Sequence, residues 1–257
     1  PSAERLGPEG YSPSGVGRIV WEAIDALLRE KGPTTRVTLV GESHGAVVAI
    51  RMFGDPALAD LSARLGPRVD RLVLFAPMDV IVTSPDPALR RLSTSGSVAF
   101  AVGGALGLIR RGTEDFVRHN TDDGCPAPIE EARRMAALLA DAASRRAAQA
   151  TITSVVPLDR DGRPCWPGVE RLDAFYDGVR VPTLLVWGAR DELVPVAMGH
   201  RIAARIPDAK LRIVPETKHF LASWERPRVA ARLIREFEAP HRGGPERLLF
   251  VGGGHAR

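Results

Sequence analysis

Five residues, Gly41-Glu42-Ser43-His44-Gly45, constrain this chain more than any others, because of what flanks them. The apolar, β-branched run Val37-Thr38-Leu39-Val40 comes just before, and Ala46-Val47-Val48-Ala49-Ile50 just after. That order predicts a strand, a tight turn and a helix. A Gly-x-Ser-x-Gly turn in such a setting strains the serine and exposes its hydroxyl, while the glycines let strand and helix approach with no Cβ between them. Ser43 is therefore the candidate nucleophile. A serine in a Gly-rich turn also serves as a plain helix N-cap, and so short a motif occurs by chance, so the flanking elements and the residues downstream must carry the assignment.

A serine hydroxyl is a weak nucleophile near neutral pH and needs a histidine base oriented by a carboxylate. Val181-Pro182-Thr183-Leu184-Leu185-Val186-Trp187 reads as a buried strand, and Gly188-Ala189-Arg190-Asp191-Glu192 follows it. Asp191 thus falls in the loop at the strand's C-terminal end, the edge where open α/β sheets collect catalytic groups. A further strand, Leu211-Arg212-Ile213-Val214, leads into Pro215-Glu216-Thr217-Lys218-His219-Phe220, which brings His219 to the corresponding loop. Two other readings stay open at this point: Asp191 as the cap of a helix starting near Pro195, with Glu192 a weaker acid candidate, and His219 as an ordinary loop histidine.

Ser, Asp, His is the chain order of the α/β-hydrolase-fold serine hydrolases, and the segment from about Ser14 to Glu238 resembles that family. The matching residues are the elbow around Ser43, Trp187-Gly188-Ala189-Arg190-Asp191 with Val194-Pro195 behind it, and Lys218-His219-Phe220 before a last helix. The resemblance implies an α/β architecture: a mostly parallel sheet flanked by helices, with a helical cap insertion. It further implies that Asp191 orients His219, that His219 takes the proton from Ser43, and that the His44 backbone N–H forms half of the oxyanion hole. Asp79, just after the strand Leu72-Val73-Leu74-Phe75, is an alternative acid because some members place theirs there; Asp191 is preferred.

Family members carry about four strands ahead of the nucleophile strand, one of which leads into the second oxyanion donor. Nothing before Arg36 reads that way, so the fold is expected to be N-terminally incomplete. Instead an amphipathic helix on Val16, Ile19, Val20, Ile24, Leu27 and Leu28 runs up to Gly32-Pro33. The expected organisation is a core in two parts, 1–77 with the elbow and 181–240 with the acid and histidine loops, a helical cap at 78–180, and a linker and tail at 241–257. Within the cap, Val98 to Val102 and Leu106 to Ile109 read as one apolar helix weakened by Gly103-Gly104. Pro128-Ile129-Glu130-Glu131 opens a second, with Ala132, Met135, Ala136, Leu139 and Ala143 on one face. These residues, with Trp166, Leu172, Phe175 and Tyr176, either roof an apolar pocket or pack the cap on itself.

At the C-terminus, Arg247-Leu248-Leu249-Phe250-Val251 runs into Gly252-Gly253-Gly254-His255. A strand entering Gly-x-Gly opens dinucleotide-binding units, but the third glycine, the helix and the distal acid are missing, and a frayed tail is the simpler reading. A sheet that began at its nucleophile strand would leave one flank unpaired, so if the chain stands alone Leu248 to Val251 are expected to form a strand against that flank.

The formal net charge of +4 comes from arginines scattered among acids; the only lysines are Lys31, Lys210 and Lys218. With no basic run and no interleaved aromatic stripe, nucleic acid is not an expected partner. Cys125 and Cys165 lie apart, and no His/Cys spacing suits zinc, so no metal and no cofactor is expected. The longest uncharged apolar stretch, Ser97 to Ile109, is too short to span a bilayer. The resulting expectation is a cytoplasmic serine hydrolase that cleaves an ester or related acyl bond of a small, largely apolar molecule, with a homo-oligomer or a fused domain as open possibilities. Carbon–carbon bond hydrolysis, thioester cleavage and acyl transfer use the same residues. An alternative of another class is a catalytically silent, truncated or fused hydrolase-like module.

Overall fold

In the computed structural model, which describes residues 8–78, 102–103, 106–122, 125, 128–155, 165–238 and 246–251, the first long element is helix α1 (Pro13–Lys31). Its bounds follow from its ends. Ser12 accepts the Gly15 N–H at 3.0 Å, Pro13 occupies the first turn, and Gly32 leaves the helix at φ 94°, a conformation suited to glycine. The buried stripe is Gly17, Trp21, Ile24 and Leu28; it keeps Ile24 and Leu28 of the expected face but passes through Gly17 and Trp21, leaving Val16 and Val20 only partly buried. Trp21 anchors that stripe through its indole N–H to the Met52 carbonyl at 3.0 Å, and Ile19 turns outward, 39% exposed.

Five strands form one wholly parallel sheet: β1 (Arg36–Glu42), β2 (Val69–Phe75), β3 (Thr183–Gly188), β4 (Ala209–Val214) and β5 (Glu246–Val251), in the order β4-β3-β2-β1-β5. β1, β2 and β3 read as unbroken apolar runs because both their faces are covered. Side-chain alternation sorts them into two cores. Leu39, Leu72, Leu74, Leu185 and Trp187 pack with α1, α2 (His44–Gly54) and α8 (Val196–Arg205) on one face. Val40, Val73, Phe75, Leu184 and Val186 pack with Leu221, Ala230 and Ile234 of the segment ending in α9 (Pro227–Glu238) on the other. The short α3 (Ala59–Leu65) leads back from α2 into β2.

The excursion between β2 and β3 is helical where it is described: α4 (Leu108–His119), α5 (Pro128–Ala140), α6 (Ala142–Val155) and α7 (Trp166–Asp173). The helix expected to run on through Ala143 breaks at Asp141, whose carboxylate accepts the Ser144 N–H at 2.7 Å and starts α6. Trp166 is 58% exposed, whereas Leu172 and Tyr176 are buried. Asp79 and much of the stretch from Ser97 to Ile109 lie outside the described residues.

β5 pairs in parallel with β1 along its whole length, from Arg36 opposite Glu246 to Gly41 opposite Val251. β1, the strand that leads into Ser43, is therefore an interior strand, and the expected terminal strand is present. A chain ending at Glu238 would leave the outer flank of β1 unpaired. Its melting temperature should fall by roughly 4–8 °C, what about 2 kcal/mol does to a domain of this size, and it should associate as concentration rises. Thermal melts and light scattering check this; identical melting of the two forms would show that the pairing contributes nothing.

Candidate active site

The elbow forms where β1 ends. A Cβ on Gly41 would sit 2.7 Å from the Ala46 nitrogen and from the Gly45 carbonyl, so only glycine lets the helix turn back this tightly. Ser43 adopts φ 52°, ψ −115°, a conformation that costs about 1–3 kcal/mol for a residue with a side chain. Two hydrogen bonds to the end of β2 hold it there: the Ser43 N–H donates to the Phe75 carbonyl at 2.8 Å, and the Met78 N–H donates to the Ser43 carbonyl at 3.3 Å. The strain read from the motif is present, and the N-cap alternative is not, since the Ser43 side chain caps nothing in α2.

His44 is the first residue of α2, so its N–H has no carbonyl to bond within the helix, and it makes no hydrogen bond among the described residues. Burial lowers its imidazole pKa to about 4, which keeps the ring neutral, and Nε2 is buried without a partner there.

Asp191 and His219 are brought together by a contact that only glycine permits. A Cβ on Gly188 would fall 2.1 Å from the Lys218 carbonyl oxygen and 2.4 Å from that of Thr217, so the end of β3 lies directly against the histidine loop. Asp191 then uses both oxygens. Oδ1 accepts the Val194 N–H at 2.8 Å, a turn that the Trp187 indole N–H also braces through the Val194 carbonyl at 2.7 Å; Oδ2 accepts the His219 Nδ1–H at 2.8 Å. The capping alternative does not hold, since Pro195 is the N-cap of α8 and Asp191 bonds the turn ahead of it; the carboxylate braces that turn and meets His219 at once. On the far side of the ring, His219 Nε2 lies 2.9 Å from the Ser43 hydroxyl oxygen. The Asp191 and His219 side chains are fully buried. Glu192 points away and pairs with His119 at 3.0 Å, both exposed.

Burial opposes charge on His219, but the carboxylates of Asp191, Glu42 and Glu225 outweigh it and raise its pKa above the ordinary 6.5. A base of raised pKa takes a proton from a hydroxyl more readily, provided that it starts neutral. The ring also meets an aromatic group: Phe220 lies edge-on at 5.0 Å and continues to Phe116 and Trp224.

Three residues at this site were not legible in the sequence. Asn120, at the end of α4, accepts the His219 N–H on its carbonyl at 3.3 Å, while Lys218 donates to the His119 carbonyl at 2.9 Å. Glu225 accepts the Lys218 N–H at 2.8 Å. Glu42, the variable position before the serine, reaches the residues that follow His219. Glu42 and Asn120 act through groups remote in sequence, and Glu225 reaches back seven residues to Lys218; neither kind of contact leaves a periodic trace.

The chain belongs to the alpha/beta hydrolase family, whose profile matches residues 4–233. It is 31% identical over 207 residues to the pimeloyl-[acyl-carrier protein] methyl ester esterase of Aromatoleum aromaticum, an alignment covering 76% of this chain and 70% of that protein. Over 59 residues, 23% of this chain and 20% of the relative, it is 37% identical to a 2-hydroxy-6-oxononadienedioate/2-hydroxy-6-oxononatrienedioate hydrolase of Pseudomonas putida. The fold matches that of a 2-hydroxy-6-oxo-6-phenylhexa-2,4-dienoate hydrolase from a Rhodococcus species with a TM-score of 0.62 at 18% identity, over 89% of this chain and 72% of that one. These relatives are hydrolases and esterases, and this chain is an enzyme of their superfamily. No helix among the described residues is long and apolar enough to cross a membrane, and none of their His, Cys, Asp and Glu side chains form a group of three placed to hold a metal ion.

Proposed function

We propose that the chain is a serine hydrolase of small, largely apolar molecules that cleaves an ester or related acyl bond through Ser43, His219 and Asp191. The observation that carries this reading is the unbroken relay from Asp191 Oδ2 to His219 Nδ1, at 2.8 Å, and from His219 Nε2 to Ser43 Oγ, at 2.9 Å, ending on a strained serine. His219 Nε2 accepts the Ser43 proton as Oγ bonds to the substrate carbonyl carbon, and the carbonyl oxygen gathers negative charge toward the His44 N–H. The imidazolium, held by Asp191, passes that proton to the departing alkoxide. An alcohol leaves and an acyl-serine remains, until water, deprotonated by the same histidine, releases the acid and restores Ser43. A silent module would have no use for the strain at Ser43, which favours the enzyme.

In this reading residues 78–180 form the cap over a core built from 1–77 and 181–240, and the 241–257 segment, expected as linker and tail, adds β5 to that core. Its helix α4 meets the histidine loop through Asn120, and Phe116, Phe220 and Trp224 supply an apolar aromatic surface beside the base, which suits an apolar acyl or ring group. A second reading, hydrolysis of a carbon–carbon bond, is favoured by the local match to the Pseudomonas putida hydrolase.

The test is a paired assay of the purified chain on p-nitrophenyl esters of graded acyl length and on 2-hydroxy-6-oxo-6-phenylhexa-2,4-dienoate. The acyl reading expects ester turnover with kcat/KM rising with acyl length, and the dienoate left intact. Turnover of the dienoate alone would establish the second reading, and turnover of neither, with Ser43 inert to a fluorophosphonate, would overturn both.

A further inference from the structure

Glu42 sits at the last position of β1, one residue before the serine, with its side chain turned toward the segment after the histidine loop. That segment, Leu221–Glu225, winds as a single wide turn, and such turns leave N–H groups without an intrahelical partner. One Glu42 oxygen accepts the Ala222 N–H at 2.7 Å; the other accepts the Ser223 N–H at 3.2 Å and the Ser223 hydroxyl. Every group facing the carboxylate is a donor, the arrangement that an ionised acceptor requires.

The covalent path makes this clamp consequential. Ser43 is joined to Glu42, and Ala222 lies three residues beyond His219, so the clamp ties the strand that leads to Ser43 to the segment that follows His219. We propose that Glu42 is a positioning residue: by gripping Ala222 and Ser223 its carboxylate holds His219 at the Ser43 hydroxyl, and it adds a second negative charge beside the imidazole. This rests on the assignment of Ser43 and His219 made above. Burial raises the pKa of Glu42 and its donors work against that rise; the charge of His219 pulls in the same direction as the donors.

Other charged groups face this region. Asp191 bonds the imidazole directly, and Glu225 adds a further carboxylate; its own pKa is raised by burial. Outside these, Arg226 pairs with Asp122 at 3.4 Å, and His119 pairs with Glu192. Glu42 differs from all of them in being joined directly to Ser43 while it bonds the segment after His219.

Two substitutions separate grip from charge. Glu42→Gln removes the charge and keeps one acceptor oxygen, so it can reproduce the bond to the Ala222 N–H or that to the Ser223 N–H but not both; Glu42→Asp keeps the charge and both acceptors but shortens the reach. The rate at which a fluorophosphonate labels Ser43 is followed against pH, since it rises as His219 loses its proton. With Glu42→Gln the rising limb should move to lower pH, because a charge that favoured the imidazolium is gone, and the plateau should fall by less than in Glu42→Asp, because one backbone bond of the clamp remains. With Glu42→Asp the limb should keep its place while the plateau falls by roughly ten- to a hundredfold, the effect of a base displaced by a fraction of an ångström to an ångström. An unmoved limb in Glu42→Gln, or an undiminished plateau in Glu42→Asp, overturns the proposal. A wild-type chain that is not labelled at Ser43 overturns the assignment beneath it, a result distinct from either.

Discussion

Replacing Ser43 with alanine should abolish covalent labelling by a fluorophosphonate and reduce ester turnover by about 10⁶-fold, to the background of the assay. The expectation has a structural basis specific to this serine. Its Oγ is 2.9 Å from a buried imidazole, and its backbone is held at φ 52° by Phe75 and Met78, so no neighbouring hydroxyl shares its position or its base. The substitution removes one exposed oxygen and keeps the fold, since the side chain caps no helix. The variant should also melt no lower than wild type, as alanine brings no worse strain to φ 52° than serine does. Mass spectrometry of labelled peptides checks the result; robust labelling of the alanine variant would remove Ser43 from the mechanism.

Replacing Asp191 with asparagine should lower kcat by about 10³–10⁴-fold with little change in KM. Asparagine is nearly isosteric and can still accept the Val194 N–H, so the turn ahead of α8 survives. It cannot both do that and present a charged acceptor to His219 Nδ1–H, so the imidazole is released to the tautomer that protonates Nε2 and blocks it from accepting the Ser43 proton. The limb of the pH–rate profile should also move to lower pH in this variant, because the carboxylate nearest the imidazole holds its pKa up. Steady-state kinetics across pH decide it. A mild effect here with a large one at Asp79→Asn would transfer the orienting role to that residue.

What could be read in advance was whatever the chain encodes locally. The strands were legible because Val37 to Val40, Leu72 to Phe75 and Thr183 to Trp187 are apolar runs bounded by turn residues, the signature of a strand buried on both faces. The placement of Ser43 and Asp191 was legible because each follows such a strand at its C-terminal end, and that of His219 because it follows the half-exposed edge strand β4 in the same way. Where two apolar choices lay within one turn, periodicity was ambiguous: the buried stripe of α1 went to Trp21, whose indole N–H finds the Met52 carbonyl, and not to Ile19. The break between α5 and α6 turned on one carboxylate, Asp141, in a stretch otherwise fit to continue as helix. Glu42 and Asn120 were beyond reach because their partners are backbone groups far along the chain, and those distances exist only once the sheet is assembled; Glu225 was missed because its bond to the Lys218 N–H, seven residues back, depends on the wide turn at Leu221–Glu225.

The pairing of β5 with β1 also sets a timetable. Synthesis passes through β2, the helical excursion, β3, β4 and α9 before β1 gains its second neighbour. Most other strand pairs close earlier, and the contact that joins residues 36–41 to 246–251 has close to the largest sequence separation the chain allows. Contacts of that kind form late and slow the final step of folding. The strand that leads into Ser43 is thus laid down early and gains its second neighbour last, so the labelling of Ser43 expected above should lag behind the appearance of helical signal when refolding is followed by both at once.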